Sequence, residues 1–458
     1  MKRNFLSLTY CIISFGIVGL YTTGCKKAED VASSVIRPEI VIRDSRIKVL
    51  HLHSDTVYLL TGNLQRLDGE TLQIDAGTLI KGNLSTDPNE RGSITINPGG
   101  TIEANGTSNN PIVFTANAYQ GSQLENWSGI TIIGSATTDA SGNYTEVKGS
   151  LKYVRIEFAS LTLQTVGSGT TIENIMVSYT NIQPQQSSLS AFNFYGGSFN
   201  ARNLISYACG GPADFYIADG YNGKLQNIIA YRHPFFGNTG NAPANAVAGV
   251  FIENKSATPI TGSPVTNPII SNLTVIGPSS QNGSTISYRD TSLRAGALVT
   301  TGHPLFRVRN TLLLGYPAAG WYVDDSLIVV DIKSGLSELT HSIVHSNNSN
   351  RSFYYSNPDA YNSFSGQGFE SLMLDASFNN NVLVNATDFM LEDPFNYDAP
   401  NLLPKTNAGI LTGADFSGAN YSDGFFNKVS YRGALGKDNW LQGWTNFNPL
   451  KTNYNFSN

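Results

Sequence analysis

Short segments in which apolar and polar residues alternate follow one another along the chain from residue 46 onward. Clusters of Gly, Asn, Pro and Ser separate them, and no long run of apolar residues at helical spacing occurs in this region. Alternation with a period of two is typical of strands that bury one face. The clearest of these predicted strands lie in TLQIDAGTLIKG (71–82), SITINPGGTIEANG (93–106), PIVFTAN (111–117), GITIIGS (129–135) and LKYVRIEFAS (151–160).

Many of these segments share one local frame, an Asn followed by apolar or small residues one and three places further on. Alternation puts those two residues on one face of a strand, where they can point into a common interior. Asn tolerates the left-handed backbone conformation, so we expect it at a bend, with its amide stacked in a ladder from coil to coil. The frame occurs at Asn174, Asn203, Asn227 and Asn272, and less clearly at Asn310, His341 and Asn380.

Recurring strands around a shared interior predict an all-β fold, a right-handed single-stranded parallel β-helix over residues 46–397. A bare coil of such a solenoid takes roughly 20 to 25 residues, which fits the step from Asn203 to Asn227. The other steps are longer, so we expect excursions that gather on one flank. A β-sandwich requires hairpin signals and a propeller requires a regular blade period, and the sequence has neither pattern.

The last segment, 398–458, has no repeats and is rich in aromatic residues. A solenoid must cover the apolar end of its last coil, so we expect this segment to form a C-terminal cap. A surface for stacking sugars is the alternative. The aromatic residues concerned are Phe425, Phe426, Trp440, Trp444 and Phe447.

The N-terminus has the pattern of a lipoprotein signal peptide over residues 1–24. Two basic residues precede an apolar run from 5 to 20 that is too short for a spanning helix, and small residues lead directly to Cys25. We expect Cys25 to be lipidated and residues 25–45 to form a polar tether. The predicted location is the outer membrane, with surface exposure favoured over the periplasm. An ordinary cleaved signal is the alternative.

Charge and cysteine content narrow the function classes. Charged residues make up 14% of the chain and the formal net charge is -5, with no clustered basic and aromatic residues, which excludes a nucleic-acid partner. Of the three cysteines, Cys11 is removed with the signal and Cys25 is the lipidation site, so only Cys209 remains in the folded part. No internal disulfide is expected, and Cys209 is predicted to be buried.

The chain resembles a group of Bacteroidota lipoproteins that are predicted to be parallel β-helices. This resemblance implies the fold and the anchor, but no activity. In that family an acidic run precedes the segment equivalent to 213–227, where this chain has only Asp214 and Asp219. Ca²⁺ takes roughly 6 to 8 oxygen ligands, so no cofactor is expected, with Ca²⁺ at this segment as the alternative. The resemblance rests on residues 77–82, 94–116, 127–134, 151–159, 166–179, 194–207 and 438–449.

An enzyme of the pectin-lyase type needs acidic residues and a base on one outer face of the coils. The nearest such set is Asp214, Asp219 and Arg232, with Lys224 and His233 close in sequence. The alternative is that the two aspartates shape turns and the basic residues are solvated. We favour this second interpretation because their spacing matches no catalytic signature.

Three further groups of residues are candidates for binding or catalysis. Arg155 and Glu157 share one strand face, which suits an ion pair better than an acid and base. His51 and His53 could hold Zn²⁺ with a third ligand, for which only Asp55 is near in sequence, so an incidental role is favoured. Trp321, Tyr322 and Asp324, with Asp325 beside them, suit sugar recognition or a surface turn.

Together these features predict a non-catalytic envelope platform, attached to the membrane through its lipid anchor, that binds glycan or a protein partner. The alternative is a polysaccharide lyase or glycoside hydrolase.

Overall fold

The computed structural model describes residues 37–118, 127–180, 189–234, 246–254, 264–280, 294–356 and 366–454. Cys25 and the predicted signal peptide lie outside these ranges. Two α-helices are present in these ranges, α1 (Ser326–Lys333) and α2 (Gly366–Met373), with 3₁₀ turns at Ala376–Phe378, Ala386–Phe389, Gly409–Leu411 and Pro449–Lys451. None of the described helices is long and apolar enough to span a membrane.

The described strands are β1 (Glu39–Ile42), β2 (Val49–Leu52), β3 (Val57–Leu60), β4 (Asn63–Arg66), β5 (Thr71–Ile74), β6 (Leu79–Gly82), β7 (Ser93–Ile96), β8 (Thr101–Asn105), β9 (Ile112–Ala116), β10 (Ile130–Ile133), β11 (Gly149–Glu157), β12 (Leu161–Gln164), β13 (Thr171–Ser178), β14 (Phe192–Tyr195), β15 (Asn200–Tyr207), β16 (Ala213–Ala218), β17 (Lys224–Tyr231), β18 (Ala246–Glu253), β19 (Ile269–Ile276), β20 (Arg294–Thr301), β21 (Arg307–Arg309), β22 (Leu312–Tyr316), β23 (Trp321–Val323), β24 (Glu338–Thr340), β25 (Ile343–Ser346), β26 (Phe353–Tyr355), β27 (Asn381–Val382), β28 (Leu391–Asp393) and β29 (Asn401–Pro404).

These strands form a parallel β-helix, as the sequence predicted. Sheet three consists of β4, β7, β10, β12, β14, β16, β18, β20, β23 and β26. The other two sheets share long bent strands: sheet one contains the first halves of β11, β13, β15, β17 and β19, and sheet two contains their second halves. The strands of all three sheets pair in parallel, while β28 and β29 form an antiparallel pair outside them. The first strand, β1, pairs with β3, so the coils begin inside the segment expected to be a tether.

The interior is built from alternate residues of each strand, stacked in register from coil to coil. In sheet three the register aligns Phe192 with Phe215, whose rings stack with centroids 4.6 Å apart. Burying each such side chain contributes roughly 1.5 to 3 kcal/mol of transfer free energy, which is how a solenoid holds neighbouring coils together. The same column continues through Ile130, Leu161, Val250, Leu298, Trp321 and Phe353, all at most 1% exposed.

The asparagine frame forms the bend between sheets one and two. Asn174, Asn203, Asn227 and Asn272 all have φ between 56° and 59°, the predicted left-handed conformation. One direct amide bond of the expected ladder is present, from Asn227 Nδ2 to Asn203 Oδ1 at 2.9 Å. Asn310 and His341 take the same conformation, with φ of 57° and 52°.

The frame assigned to Asn380 is wrong by one residue. Asn379, with φ of 52°, occupies the bend position, and its Nδ2 lies 3.2 Å from His341 Nε2. Asn380 instead donates its amide to the carbonyls of Leu339 and Met373. Three consecutive asparagines, at 379–381, leave the local pattern ambiguous, and the pairing of Ile343 with Asn381 decides which of them takes the bend position.

The long connections join strands of sheet three to strands of both other sheets, and do not gather on one flank as expected. Among consecutive described strands, every connection of more than ten residues up to β27 joins a sheet-three strand to a neighbour, as between β9 and β10 or between β10 and β11. The bend between sheets one and two carries no excursion in β11, β13, β15, β17 or β19, because the two halves are one continuous strand. Sheet three is therefore the face bordered by loops.

The C-terminal segment lies along the side of the coils, whereas the sequence suggested that it closes their end. Trp444 packs edge-on against Tyr153, and Phe447 packs against Tyr207 with ring centroids 4.8 Å apart. Arg202 lies over the ring of Phe425. The end of the last coil is covered by α2, whose Phe369 packs against Trp321 and Tyr355.

The C-terminal segment lies along the side of the coils because the outer face of sheet two is itself apolar. Its outward column includes Met176, Ile205 and Ile229, aligned in register and all at most 1% exposed. The backbone N–H of Asn446 contacts the sulfur of Met176 at 3.4 Å. A parallel sheet with two apolar faces needs cover on both, and the C-terminal segment supplies the outer one.

Candidate functional site

A stripe of aromatic side chains runs along the outer face of sheet three. The residues facing outward in successive strands are aligned by the parallel register, so Tyr216 stacks on Phe251 and Tyr322 contacts Tyr354 with its ring tilted. The ring centroids of Tyr216 and Phe251 are 5.5 Å apart and nearly parallel, at 11°. Tyr322 and Tyr354 are also 5.5 Å apart. We call Tyr195, Tyr216, Phe251, Tyr322 and Tyr354 the aromatic stripe.

The stripe presents partly exposed tyrosines at both ends and a buried centre. Tyr195 packs against Tyr216 with centroids 5.7 Å apart, and both are half-buried. Phe251 is only 3% exposed, and Val299, which follows it in register, is fully buried. The stripe therefore offers two tyrosine pairs, at its two ends.

Carboxylates accompany the pair formed by Tyr195 and Tyr216. The Tyr216 hydroxyl donates to Glu253 Oε1. Burial, together with the negative charges of Asp219 and Glu253, raises the pKa of Tyr195, so its hydroxyl stays protonated. At the other pair, the guanidinium of Arg351 lies 4.1 Å from the ring centroid of Tyr354. Ring faces beside hydrogen-bonding groups suit a ligand that has both apolar faces and hydroxyls.

The sequence of this β-helix matches a known protein-family model. The family model described as "Pectate-lyase like beta helix domain" matches residues 45–303, more than half of the chain. The chain belongs to this pectate-lyase-like β-helix family. No curated protein and no solved structure matches the chain significantly.

In this pectate-lyase-like β-helix protein, two of the three candidate catalytic residues lie inside the solenoid. Asp214 is fully buried and Arg232 is 1% exposed, with Arg232 Nε 3.4 Å from Asp214 Oδ2. Arg232 also donates to the carbonyls of Cys209 and Ala248, at 2.7 and 2.9 Å. Burial raises the pKa of Asp214 to about 6, opposed by Arg232 and by the Ser206 hydroxyl. Side chains without exposed surface cannot contact a polysaccharide.

The shared outer face expected for Asp214, Asp219 and Arg232 therefore does not form. Asp219 alone of the three is exposed, in the turn after β16, where its φ is 53°. Because Asp214 is buried and Asp219 is exposed, the two do not share the surroundings that a Ca²⁺ site needs. Lys224 forms an ion pair with Asp423 of the C-terminal segment, and His233 packs against Tyr397.

The sequence suggested that Trp321 and Tyr322 could both stack on a sugar, and this is wrong for Trp321. Trp321 is fully buried and points inward, with its Nε1 donating to Thr300 Oγ1 at 3.1 Å. Tyr322 points outward into the aromatic stripe because adjacent strand residues face opposite sides. Asp324 is half-buried at the end of that strand, and Asp325 accepts from Leu327 N as the N-cap of α1.

Arg155 and Glu157 face outward, as expected, but the C-terminal segment covers them. Arg155 Nε lies 3.8 Å from Glu157 Oε1, which also accepts from Asn446 Nδ2 and from the Tyr454 hydroxyl. Burial raises the pKa of Glu157. A pocket of ≈ 420 Å³ adjoins this cluster, and Arg37, Arg155, Asn446 and Tyr454 are part of its lining.

His51 and His53 meet an acidic partner that sequence proximity did not indicate. Asp75 of the next coil, and not Asp55, lies between them, with Oδ1 2.7 Å from His51 Nε2 and Oδ2 3.0 Å from His53 Nδ1. The hydrogen bond from His51, with that from His53, lowers the pKa of Asp75. Three side chains able to bind a metal thus converge on one surface.

The sequence interpretation missed most of the aromatic stripe. The signal was present as one aromatic residue between two inward-facing ones in strands β16, β18 and β26, and as Tyr195 at the end of β14. What it lacked was the register, which brings these rings into contact between coils. The missed residues are Tyr195, Tyr216, Phe251, Tyr354 and the adjacent Glu253.

Proposed function

We propose that this chain is a lipid-anchored, non-catalytic protein of the cell envelope that binds glycan along the aromatic stripe of sheet three. The observation that carries the proposal is the pair of contacting, partly exposed tyrosines at each end of the stripe, contributed by consecutive coils. Pyranose rings have apolar faces that pack on aromatic rings and hydroxyl groups that need polar partners. The tyrosine hydroxyls, Asp219, Glu253 and Arg351 are such partners.

The placement of the long connections supports this choice of face. Loops on a rigid scaffold commonly build a binding surface, and here the long connections begin or end at strands of sheet three. The outer face of sheet two is covered by the C-terminal segment, which leaves no room there for a polymer. On sheet three, aromatic rings of consecutive described coils remain partly exposed, as Tyr195 and Tyr216 do.

The binding test compares variants that remove a ring with one that keeps it. Tyr216→Ala and Tyr322→Ala should each weaken binding to a responsive polysaccharide by about fivefold, because each loses one stacking surface. Tyr216→Phe retains the ring and should lose less. Tyr431→Ala, at the bend corner, is the control and should bind as the wild type does. Isothermal titration against neutral and acidic polysaccharides provides the affinities.

A glycan proposal fails if none of the polysaccharides binds, or if the two alanine variants bind as tightly as the control. Co-purification of an outer-membrane protein in the absence of any glycan signal would instead identify a protein partner. Both outcomes are accessible with the same purified chain.

The second candidate is a polysaccharide lyase or glycoside hydrolase. It is favoured by the two carboxylates, Asp219 and Glu253, whose charges both act on Tyr195. Incubation with the same polysaccharides, with and without Ca²⁺, tests for released products. Product release that disappears in Asp219→Asn and Glu253→Gln would overturn the non-catalytic proposal.

The anchoring part of the proposal rests on the first 25 residues. Cys25→Ala should abolish labelling by a fatty-acid analogue and release the protein from membranes in soluble form. Surface exposure predicts that protease added to intact cells degrades the wild-type protein. Continued labelling of the variant would show that another residue carries the lipid.

A further inference from the structure

We propose that His51, His53 and Asp75 form a binding site for a divalent transition-metal ion, for which Zn²⁺ is the best match. The site lies at the edge of sheet one, next to the bend corner, and is separate from the aromatic stripe on sheet three. It therefore adds a second binding activity to the one proposed above and does not depend on it.

The site is assembled by the stacking of the first two coils. His51 and His53 are alternate residues at the end of β2, so they share the outward face while Leu52 is buried between them. β5 pairs with β2 in parallel, Leu52 with Ile74, and this register brings Asp75 next to His53. The imidazole centroids are 3.9 Å apart, and the candidate ligand atoms all lie within 4.8 Å of one another.

The backbone that carries these ligands is held in place by hydrogen bonds. Asp75 N donates to the carbonyl of Leu52 at 3.0 Å, which ties the two coils together next to the site. Thr78 Oγ1 donates to the Asp75 carbonyl at 2.7 Å and closes the turn. His53 N donates to the Tyr58 hydroxyl at 2.8 Å. The ligands thus project from a fixed frame, which lowers the entropic cost of binding an ion.

The donor set determines the class of ion. Two imidazole nitrogens and one carboxylate oxygen are the ligands of open zinc sites, with bonds of roughly 2.0 to 2.2 Å. Ca²⁺ and Mg²⁺ prefer oxygen ligands alone, so they fit this set poorly. The carboxylate now bridges the two rings by hydrogen bonds, and a metal ion would replace those bonds after a small rotation of the Asp75 side chain.

The exposure of the cluster gives the ion access from solvent. The side chains of His51, His53 and Asp75 are 35%, 55% and 40% exposed. Three protein ligands leave a fourth position open for water or for an anionic group.

The test is titration of the full chain, purified in detergent, with Zn²⁺ by isothermal calorimetry. We expect one ion per chain with micromolar affinity, weakened at least tenfold in His51→Ala, His53→Ala and Asp75→Asn. His303→Ala is the matched control, because His303 also bonds an aspartate, Asp331, at 2.8 Å but has no second histidine beside it among the described residues. The control should bind Zn²⁺ as the wild type does.

Substitution with Co²⁺ gives a second readout, because visible absorption bands report tetrahedral nitrogen and oxygen ligation directly. Asp75→Asn preserves the size of the side chain, and circular dichroism of each variant checks that the coils remain folded. Unchanged Zn²⁺ affinity in His53→Ala and Asp75→Asn would overturn the proposal. So would the lack of any binding at sub-millimolar Zn²⁺, which would leave the cluster as a hydrogen-bonded link between two coils.

Discussion

At the residue scale, the most informative side chains are cations buried at the corners of the coils. Arg66 is fully buried and donates to the carbonyls of Ser45 and Ile47 in the preceding coil. Lys148 is fully buried and donates to the carbonyl of Asn97 and to Glu146. Arg232 is the third buried cation and donates to the carbonyls of Cys209 and Ala248. Each satisfies backbone carbonyls that the turning chain leaves without a partner, so these cations hold corners together.

This role makes a prediction for the Asp214 and Arg232 pair. Arg232→Met should lower the free energy of unfolding by about 3–5 kcal/mol, because Asp214 is left buried without an opposite charge beside it. Lys224→Met is the matched comparison, since its ion pair with Asp423 is partly exposed, and it should cost less than about 1 kcal/mol. Urea unfolding followed by circular dichroism measures both. Equal losses in the two variants would contradict the structural role.

At the element scale, the bend between sheets one and two explains why asparagine recurs. Left-handed backbone costs most residues free energy, and Asn bears it better because its short amide bonds locally. Tyr153, with φ of 49°, and His341 adopt the same conformation, so the position tolerates other residues when packing compensates. In the later coils the amides bond the C-terminal segment, as Asn272 does to the carbonyls of Tyr431 and Gly433.

The bend gives a second prediction, at Asn227. Asn227→Ala should lower stability by about 2 kcal/mol, from left-handed strain and the lost amide bond to Asn203. Asn227→Gly removes the amide but accepts the conformation, so it should lose only about 1 kcal/mol. Chemical unfolding of the two variants measures the difference. If Asn227→Gly loses as much stability as Asn227→Ala, the backbone conformation is not the reason for Asn at this position.

At the scale of the whole molecule, the C-terminal segment makes the solenoid a two-layered structure along one side. It contacts β11 through Glu157, β15 through Tyr207 and β19 through Thr274, so it spans many coils. Burial of Met176, Ile205 and Ile229 beneath it removes an apolar surface that would otherwise face water.

Removal of this layer gives the third prediction. A chain that ends at residue 407 should expose the apolar face of sheet two, bind a hydrophobic dye and aggregate, as extended apolar patches do. Size-exclusion chromatography and dye fluorescence detect both effects. Trp444→Ala, which removes one buried contact, should stay monomeric with a lower thermal midpoint. A truncated chain that remains monomeric at the wild-type midpoint would show that the segment adds no stability.

The sequence alone determined the repeating strands, the inward residues and every predicted bend except the one assigned to Asn380. These depend on local physics: the period of two decides which side chains share a face, and Asn174 or Asn203 takes the left-handed conformation within its own strand. The burial of Cys209 follows from the same local reasoning.

The tertiary structure decided which residues meet between coils. Asp75 lies beside His53, Tyr216 beneath Phe251, and Arg232 beside Asp214 because the register between strands sets these contacts. That register depends on connections of unequal length, whose effect no local pattern contains. The path of the C-terminal segment likewise depends on a surface that exists only after the coils have stacked.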